Sequence, residues 1–327
     1  MTTLTLSRAL NEGLRKALEA NAKALIMGED VGKLGGVFRV TDGLQKDFGE
    51  ARVIDTPLAE SGIIGTAIGL ALRGYRPICE IQFDGFIFPA FDQIVSQLAK
   101  MRYRSRGAVK LPIVIRVPFG GGIGAVEHHS ESPEALFAHT PGLRVVSCGD
   151  PADAYTMIQQ AASSDDPVLF FEPKRRYWDK AEVDTEGGLA AALPMDKARV
   201  LADGTDVTLL CYGPMVRTCV EAAVAAAGDG KSLEVIDLRS LAPLDTETIF
   251  ASVRKTGRCV VVHEAVVTGG LGAEIAAQVT QECFYSLEAP VLRVGAYSTP
   301  YPPSRLEDHY LPDLDRILDA VDRSFGY

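Results

Sequence analysis

The chain has 327 residues, a formal net charge of −10 and 47% hydrophobic residues. The acidic surplus argues against a nucleic-acid partner, because phosphate binding requires a basic face, and no apolar run approaches the roughly 20 residues of a membrane span. The N-terminus has neither a signal-peptide core nor an Arg-rich transit pattern, which predicts a cytoplasmic location, or the mitochondrial matrix if a transit peptide was removed.

The length is enough for two domains with separate cores, and apolar segments alternate with helical patterns along it. This alternation predicts an α/β fold of two three-layer domains, in which helices cover both faces of mostly parallel sheets. In the first half, helices are predicted over residues 5–20, 61–72, 86–105, 133–139 and 151–163. Strands are predicted over residues 24–27, 52–55, 77–82, 112–117, 144–148 and 167–172.

A polar stretch of low periodicity around residues 174–196 predicts a domain boundary. We therefore expect domains over residues 1–180 and 197–327, with a linker over 181–196. The proline-rich residues 299–303 cannot form regular structure, which predicts a tail laid over another surface. The elements predicted in the second half are strands over 206–212, 233–237, 258–263 and 290–295, and helices over 215–227, 246–256 and 271–284.

The six cysteines are widely spaced, and no pair has the spacing of a metal or redox motif. Most lie within apolar runs, as Cys259 does, so we predict that they are small buried hydrophobic residues. The glycine clusters at residues 120–124 and 269–272 lack the Gly-x-Gly-x-x-Gly spacing of a dinucleotide-binding turn. Neither cluster is therefore assigned to nucleotide binding.

Glu60 is the first candidate for chemistry. It stands where a loop gives way to an apolar helix, and no further charge appears before Arg73. The carboxylate could complement the positive end of the helix dipole, or it could point at a ligand. The residues alone slightly favour the helix-dipole interpretation.

His128 and His129 follow the glycine-rich loop and form the second candidate. Such histidines could act as acid–base groups, could bind a metal, or could belong to a Ser-His hydrolase, although no Gly-x-Ser-x-Gly elbow is present. Their position in a loop favours a function for at least one of them. The four phenylalanines within residues 83–91 are more typical of a core, but Gln82 ends a predicted strand, where ligands of parallel sheets bind.

Together these segments resemble the β subunits of the thiamine-diphosphate-dependent 2-oxoacid dehydrogenases. The resemblance follows the family's order along nearly the whole chain. The matching segments are residues 28–31, 55–63 (DTPLAESGI), 80–83, 88–94, 101–105, 129–134 (HSESPE), 141–146, 170–173, 237–241 and 263–265. Residues 88–93, 132–134 and 171–174 look closer to the branched-chain enzymes than to pyruvate dehydrogenase.

The resemblance implies a transketolase-like pyrimidine-binding domain followed by a transketolase C-terminal-like domain. It implies an α subunit that holds the diphosphate and the magnesium of thiamine diphosphate, in a heterotetramer of two α and two β chains. It also implies a lipoyl-bearing acyltransferase core and, indirectly, lipoamide dehydrogenase as partners. Residues 228–230 (GDG) look like the start of the family's magnesium motif, but no asparagine follows them, so we interpret them as a helix stop and turn.

Residue by residue, Glu60 matches the glutamate that hydrogen-bonds the aminopyrimidine ring, and Leu58, Gln82 and Phe86 match positions lining that ring. His129 matches the histidine that assists acyl transfer to the lipoyl group, and His128 ranks second. A possible potassium site is implied at main-chain oxygens, with serine in place of the usual aspartate at its third member. Its candidates are Ile113, Ala161, Ser164 and Asp166.

The leading hypothesis from the sequence is oxidative decarboxylation of branched-chain 2-oxoacids, of the 3-methyl-2-oxobutanoate dehydrogenase type, with acyl transfer to lipoamide. The nearest alternative is the same chemistry on pyruvate or acetoin. A different class of function is a non-catalytic transketolase-like scaffold, and the presence of Glu60 and His129 speaks against it.

Overall fold

The computed structural model describes residues 1–327. Its strands are β1 (Thr2–Thr5), β2 (Ala24–Gly28), β3 (Val53–Asp55), β4 (Arg76–Glu80), β5 (Val114–Phe119), β6 (Arg144–Ser147), β7 (Val168–Pro173), β8 (Lys180–Val183), β9 (Arg199–Ala202), β10 (Val207–Cys211), β11 (Leu233–Asp237), β12 (Ser240–Ala242), β13 (Cys259–Val266) and β14 (Leu292–Ala296). Its α-helices are α1 (Leu6–Ala20), α2 (Leu44–Phe48), α3 (Glu60–Leu72), α4 (Ala99–Arg104), α5 (Glu134–Ala138), α6 (Pro151–Ser163), α7 (Val216–Gly228), α8 (Thr246–Thr256), α9 (Leu271–Cys283), α10 (Glu307–Tyr310) and α11 (Leu314–Ser324).

The first sheet has seven strands in the order β12-β6-β7-β5-β4-β2-β3. Strands β2 to β7 run parallel to their neighbours, and β12 is antiparallel to β6. Every residue of β2, β5 and β7 is buried, as expected for parallel strands covered on both faces. Helices α1 and α6 pack on one face of this sheet, and α3 packs on the other.

The second sheet has five strands in the order β14-β13-β10-β11-β9. Its strands are parallel except for β9, which is antiparallel at the edge. Helices α7 and α11 cover one face, and α8 and α9 cover the other. The starts of α8 and α11 are capped by Asp245 and Asp313, whose carboxylates accept backbone N–H groups of the first turn.

The two sheets share one hydrophobic core. A cluster of 38 buried residues contains side chains from both sheets, including Ile115 of β5 and Leu210 of β10. Strand β12 follows β11 in the chain but pairs with β6 of the first sheet. Next to it the buried Arg239 donates to the carbonyl oxygens of Pro194 (2.7 Å) and Lys197 (2.6 Å). These contacts hold the two halves of the chain in one arrangement.

The predicted α/β fold with mostly parallel sheets is confirmed. Residues 228–230 do form a helix stop, because α7 ends at Gly228 and Gly230 has a φ of +75°. All six cysteines are buried and unpaired, as predicted. None of the helices combines the length and the hydropathy that crossing a membrane would require.

Several sequence-based boundaries were wrong. Residues 86–105 do not form one helix: a 3₁₀ helix at Asp84–Ala90 contains Pro89, a π-helix follows at Gln93–Leu98, and only α4 is α-helical. Proline lacks an N–H and excludes a regular helix there. The elements that were not predicted are strands β1, β8, β9 and β12 and helices α2, α10 and α11. The segment predicted as linker begins inside β8, which pairs with β1, and the division into domains at 180 and 197 stays a prediction.

A buried histidine lies in the core of the second sheet. The ring of His263 on β13 fits against glycines, since a Cβ at Gly270, Gly272 or Gly295 would come within 2.7–3.0 Å of it. Its Nδ1 lies 2.9 Å from the carbonyl oxygen of Ala265, and its Nε2 has no hydrogen-bond partner. Burial lowers the pKa of His263 to about 4. The neutral ring is therefore the form that the fold accepts.

Protonation of His263 is expected to destabilise the fold as the pH falls from 6.5 towards 4. Because the folded-state pKa is lowered, the unfolded chain binds more protons in this window, and stability rises with pH. With a folded-state pKa of about 4, the loss between pH 7 and pH 5 is about 2 kcal/mol in the free energy of unfolding. Denaturant titrations of His263→Gln should show a correspondingly smaller difference between these two pH values than the wild type.

Glu134 also contributes to the pH dependence of stability. Burial raises its pKa to about 7, so its contribution to the free energy of unfolding falls as the pH rises, opposite to that of His263. The test is consequently the difference between variant and wild type at each pH. The variant His309→Gln, at an exposed position, is expected to leave the pH dependence unchanged. An unaltered pH dependence in His263→Gln would contradict the prediction.

Candidate functional site

The candidate residues meet at one edge of the first sheet. Strands β3, β2, β4, β5 and β7 end at this edge, because they are parallel neighbours. Glu60 follows β3, Gln82 and Phe86 follow β4, and His128 and His129 follow β5. The carboxyl ends of parallel strands are where α/β proteins bind ligands.

Glu60 is the first residue of α3, and its side chain is partly exposed. The N-cap residue before it is Ala59, whose methyl group cannot accept a hydrogen bond, and Glu60 carries the only acidic side chain of the first turn. The neighbouring Glu29 is close enough to feel this charge: burial, then Asp30 and Glu60, raise the pKa of Glu29. Leu58 stands in front of this group and is 70% exposed.

Gln82 lies beside the acidic residues that follow β2. Its Nε2 is 3.4 Å from the carbonyl oxygen of Glu29 and 3.4 Å from Oδ2 of Asp30. Asp30 has a φ of +57°, a left-handed conformation that turns the chain sharply after the buried strand. The carboxamide of Gln82 thus lies close to Glu29, the residue whose pKa Glu60 also affects.

Two phenylalanine rings hold the histidine pair. The ring of His129 lies 4.3 Å from that of Phe83 and 5.1 Å from that of Phe86, measured between centroids. The ring of His128 lies 4.5 Å from that of His129 and is exposed. Burial, together with His128 and Lys174, lowers the pKa of His129. Its Nδ1 is buried without a hydrogen-bond partner, and the lowered pKa favours the neutral imidazole.

A buried lysine is hydrogen-bonded to the backbone of the histidine loop. Lys174 follows β7 directly, and its Nζ donates to Oδ1 of Asp84 and to the carbonyl oxygen of His129 at 2.6 Å. The other oxygen of Asp84 accepts the N–H of Glu131 at 2.7 Å. Both side chains are fully buried.

Beneath these loops a buried ion network joins three strands. Arg116 of β5 donates to Glu80 of β4 (2.6 Å) and, through two nitrogens, to Glu172 of β7 (2.6 and 2.9 Å). The hydroxyl of Tyr177 donates to Glu172 at 2.7 Å. Burial opposes the charge of Arg116, but attraction by Glu172 and Glu80 raises its pKa above the ordinary value.

The second half of the chain closes over the glycine-rich loop. Glu264 accepts the N–H of Gly121, and Glu307 accepts those of Gly122 (2.9 Å) and Gly124 (3.0 Å). The hydroxyl of Tyr301, within the predicted tail, donates to Glu307 at 2.5 Å. The tail is therefore laid over the first sheet's loop, as predicted. A cavity of about 290 Å³ is lined both by the tail and by residues 130–133.

The candidate potassium oxygens lie around the end of α6. The carbonyl of Ala161 accepts the N–H of Ser164 (3.1 Å), that of Asp166 accepts the Ser164 hydroxyl (3.1 Å), and that of Ile113 accepts the N–H of Val168 (2.9 Å). The guanidinium of Arg76 donates to the Ser164 carbonyl at 2.5 Å. The positive charge of Arg76 already lies next to this oxygen, which weighs against a second cation there. No group of three or more His, Cys, Asp or Glu side chains is arranged to hold a metal ion.

The structure thus brings Glu60, Gln82, Phe86, His128 and His129 to one edge. Leu58 lies at its exposed rim, and the potassium candidates lie elsewhere. Sequence reasoning missed further residues of this edge, and the signal that could have found most of them is a charge directly after an apolar strand. They are Glu29, Asp30, Phe83, Asp84 and Lys174.

Comparison with known proteins adds family information. Residues 2–179 match the family model for the transketolase pyrimidine binding domain, and residues 196–317 match that for the transketolase C-terminal domain. The chain is 61% identical to the "Pyruvate dehydrogenase E1 component subunit beta" of Leifsonia xyli subsp. xyli, over 99% of this chain and 96% of that protein. It is 53% identical to the "3-methyl-2-oxobutanoate dehydrogenase subunit beta" of Mycobacterium tuberculosis, over 98% of this chain and 92% of that protein.

Among solved structures, the chain is similar to the "Split gene transketolase, inactive beta4 tetramer". The TM-score is 0.81 at 25% sequence identity, and the match covers 99% of this chain and 98% of that chain.

Arg116→Met is expected to lower the free energy of unfolding by about 3–5 kcal/mol, because it leaves two buried carboxylates without a cation. Denaturant titration measures this loss. The matched control is Arg217→Met, which removes an exposed arginine paired with Asp179 and Glu221 and should cost less than about 1 kcal/mol. Equal losses in the two variants would show that the buried network does not hold the strands.

Proposed function

The chain belongs to the β subunits of the 2-oxoacid dehydrogenases, within the transketolase-like proteins, and from this premise we propose that it supplies half of a thiamine-diphosphate active site. The observation that carries the proposal is the convergence of a carboxylate, a carboxamide, aromatic rings and a neutral imidazole at one sheet edge. The reaction we propose is oxidative decarboxylation of a 2-oxoacid with transfer of the acyl group to lipoamide.

The residues at this edge suit the aminopyrimidine half of the cofactor. Glu60 can accept a hydrogen bond from, or donate one to, a ring nitrogen, and the Gln82 carboxamide offers both a donor and an acceptor. The ring of Phe86 and the side chain of Leu58 can pack against a flat heterocycle. When bound, thiamine diphosphate supplies the carbanion chemistry, and the chain orients it and tunes its protonation.

His129 would serve the second half-reaction. Its lowered pKa keeps the imidazole neutral near pH 7, so a ring nitrogen is free to accept a proton from an incoming dithiol or to return one. The rings of Phe83 and Phe86 keep the imidazole oriented towards the sheet edge. His128, whose side chain is exposed, ranks second.

The partners follow from the same proposal. An α subunit would hold the diphosphate and magnesium, in an assembly of two α and two β chains, and a lipoyl acyltransferase with lipoamide dehydrogenase would complete the complex. The names of both relatives, which designate β subunits, support this arrangement. The cytoplasmic location and the potassium ion stay predictions. A non-catalytic scaffold would not need Glu60, Gln82 and His129 at one sheet edge, so their presence speaks against that alternative.

For the substrate, the sequence favoured branched-chain 2-oxoacids, but the comparisons support the alternative, pyruvate, better. Identity is 61% to the pyruvate enzyme's subunit and 53% to the 3-methyl-2-oxobutanoate enzyme's subunit. Residues 88–93, 132–134 and 171–174 carry the branched-chain resemblance. We therefore propose pyruvate first and the branched-chain acids second.

Co-expression with an α-like partner tests this order. With thiamine diphosphate and magnesium present, decarboxylation of pyruvate is expected to exceed that of the branched-chain 2-oxoacids in kcat/KM. The comparison is made by following release of carbon dioxide, with the chain alone as the control. Faster turnover of 3-methyl-2-oxobutanoate would reverse the order, and no turnover of any 2-oxoacid would favour the scaffold.

Glu60→Gln is expected to lower the decarboxylation rate of the assembled enzyme by at least about 100-fold, the usual contribution of an acid–base group. Gln keeps the size of the side chain and loses its charge, so the fold should be retained. Glu50→Gln, at an exposed position away from the edge, is the matched control. Undiminished decarboxylation by Glu60→Gln would remove Glu60 from the proposed mechanism.

A further inference from the structure

We propose that Lys174 is a positioning residue of this site: with Asp84 it fixes the backbone on both sides of Ser130 and so holds the His129 imidazole in place for acyl transfer. The proposal rests on the proposed function of His129. It concerns a residue whose side chain is fully buried.

The ammonium of Lys174 is anchored from several directions. Its Nζ donates to Asp84 and to the carbonyl oxygen of His129 at 2.6 Å, and it lies 5.5 Å from the centre of the Phe83 ring. The side chain starts where β7 ends, at the strand next to β5. The first sheet therefore fixes the position at which the Lys174 ammonium contacts the histidine loop.

Asp84 binds the same loop at a second point. One carboxylate oxygen pairs with Lys174, and the other accepts the N–H of Glu131 at 2.7 Å. The carbonyl of residue 129 and the N–H of residue 131 are thus tied to one buried ion pair. Ser130 between them is buried, so the loop cannot shift without breaking buried polar contacts.

Regular secondary structure contributes little to fixing this loop. Between β5 and α5 the only regular element is the short 3₁₀ helix Glu127–His129, and the loop begins with three glycines in left-handed conformations, Gly120, Gly122 and Gly124. Gly85 allows the close approach, because a Cβ there would lie 2.4 Å from the carbonyl oxygen of His128. The position of His129 therefore depends on contacts from β7 and from the segment after β4.

The charge of Lys174 also acts on the imidazole. His128 and Lys174 are the charged groups that act on His129, and both oppose its protonation, in the same direction as burial. Lys174 itself faces Asp84, Glu264 and Glu307, all of which favour its charged form, while burial lowers its pKa. Removing the ammonium is therefore expected to raise the pKa of His129 as well as to loosen its backbone.

The test separates positioning from simple structural support by measuring two half-reactions of the assembled enzyme. Decarboxylation is followed with an artificial electron acceptor, and acyl transfer is followed with a lipoyl domain. In Lys174→Met we expect acyl transfer to fall about 10- to 100-fold, because small displacements of a reacting group cost this much, and decarboxylation to change by less than about 3-fold. Lys174→Arg should restore most of the transfer rate, and Lys180→Met is the exposed control.

Lys174→Met leaves the Asp84 carboxylate buried and unpaired, which could prevent folding. The double variant Lys174→Met/Asp84→Asn removes both charges and is expected to fold and to show the same selective loss of acyl transfer. Equal losses in both half-reactions for this double variant would overturn the proposal.

A second readout does not depend on catalysis. The protein has five histidines, so ring-labelled His129 can be assigned in NMR spectra by its absence from His129→Gln. Its pKa is expected to rise in Lys174→Met and to stay near the wild-type value in Lys174→Arg and Lys180→Met. An unchanged pKa in Lys174→Met would contradict the proposal. A wild-type assembly without decarboxylation would instead refute the proposed function, while the titration would still report on Lys174.

Discussion

The arrangement of the site depends on one buried ion network. Arg116 lies in the middle of the first sheet, fully buried, and holds the carboxylates of Glu80 and Glu172 on the strands at either side. A buried arginine is tolerated only when its donors are paired, so the register of β4, β5 and β7 is tied to this contact. These three strands carry Gln82, the histidine loop and Lys174. The network consequently sets where the chemistry-bearing loops begin.

Further contacts connect this ion network to the histidine loop. Above the ion network, Tyr177 bonds Glu172 and packs on Phe38, which in turn packs on Phe83 against His129. The second half of the chain adds a further constraint from the side, because Glu264 and Glu307 accept backbone N–H groups of the glycine-rich loop. The C-terminal half thus contributes to the site through the backbone of this loop.

The sequence was informative where a residue stands next to a recognisable element. Glu60 before an apolar helix and Gln82 after an apolar strand could be placed from local pattern, because strand ends in a parallel sheet share one edge. Lys174 could have been placed near a strand end, but its pairing with Asp84 could not be predicted, because 90 residues separate them. Strand β12 was also missed, because a three-residue strand has too few residues for a local pattern. Its pairing with β6 follows from tertiary packing.

The burial of the two halves of the site differs in a way that matches their proposed roles. Lys174 and Asp84 are fully buried and the His129 backbone is bonded within the chain, so the group proposed for acyl transfer is already assembled. Leu58 is exposed and Glu60 is partly exposed at the rim. A carboxylate in water has a weak preference for one hydrogen-bond partner, and its interaction strengthens when a second surface excludes solvent. Under the proposed function, the hydrogen bonds of Glu60 would therefore strengthen when a neighbouring subunit covers it, whereas His129 is held in position by contacts within the chain.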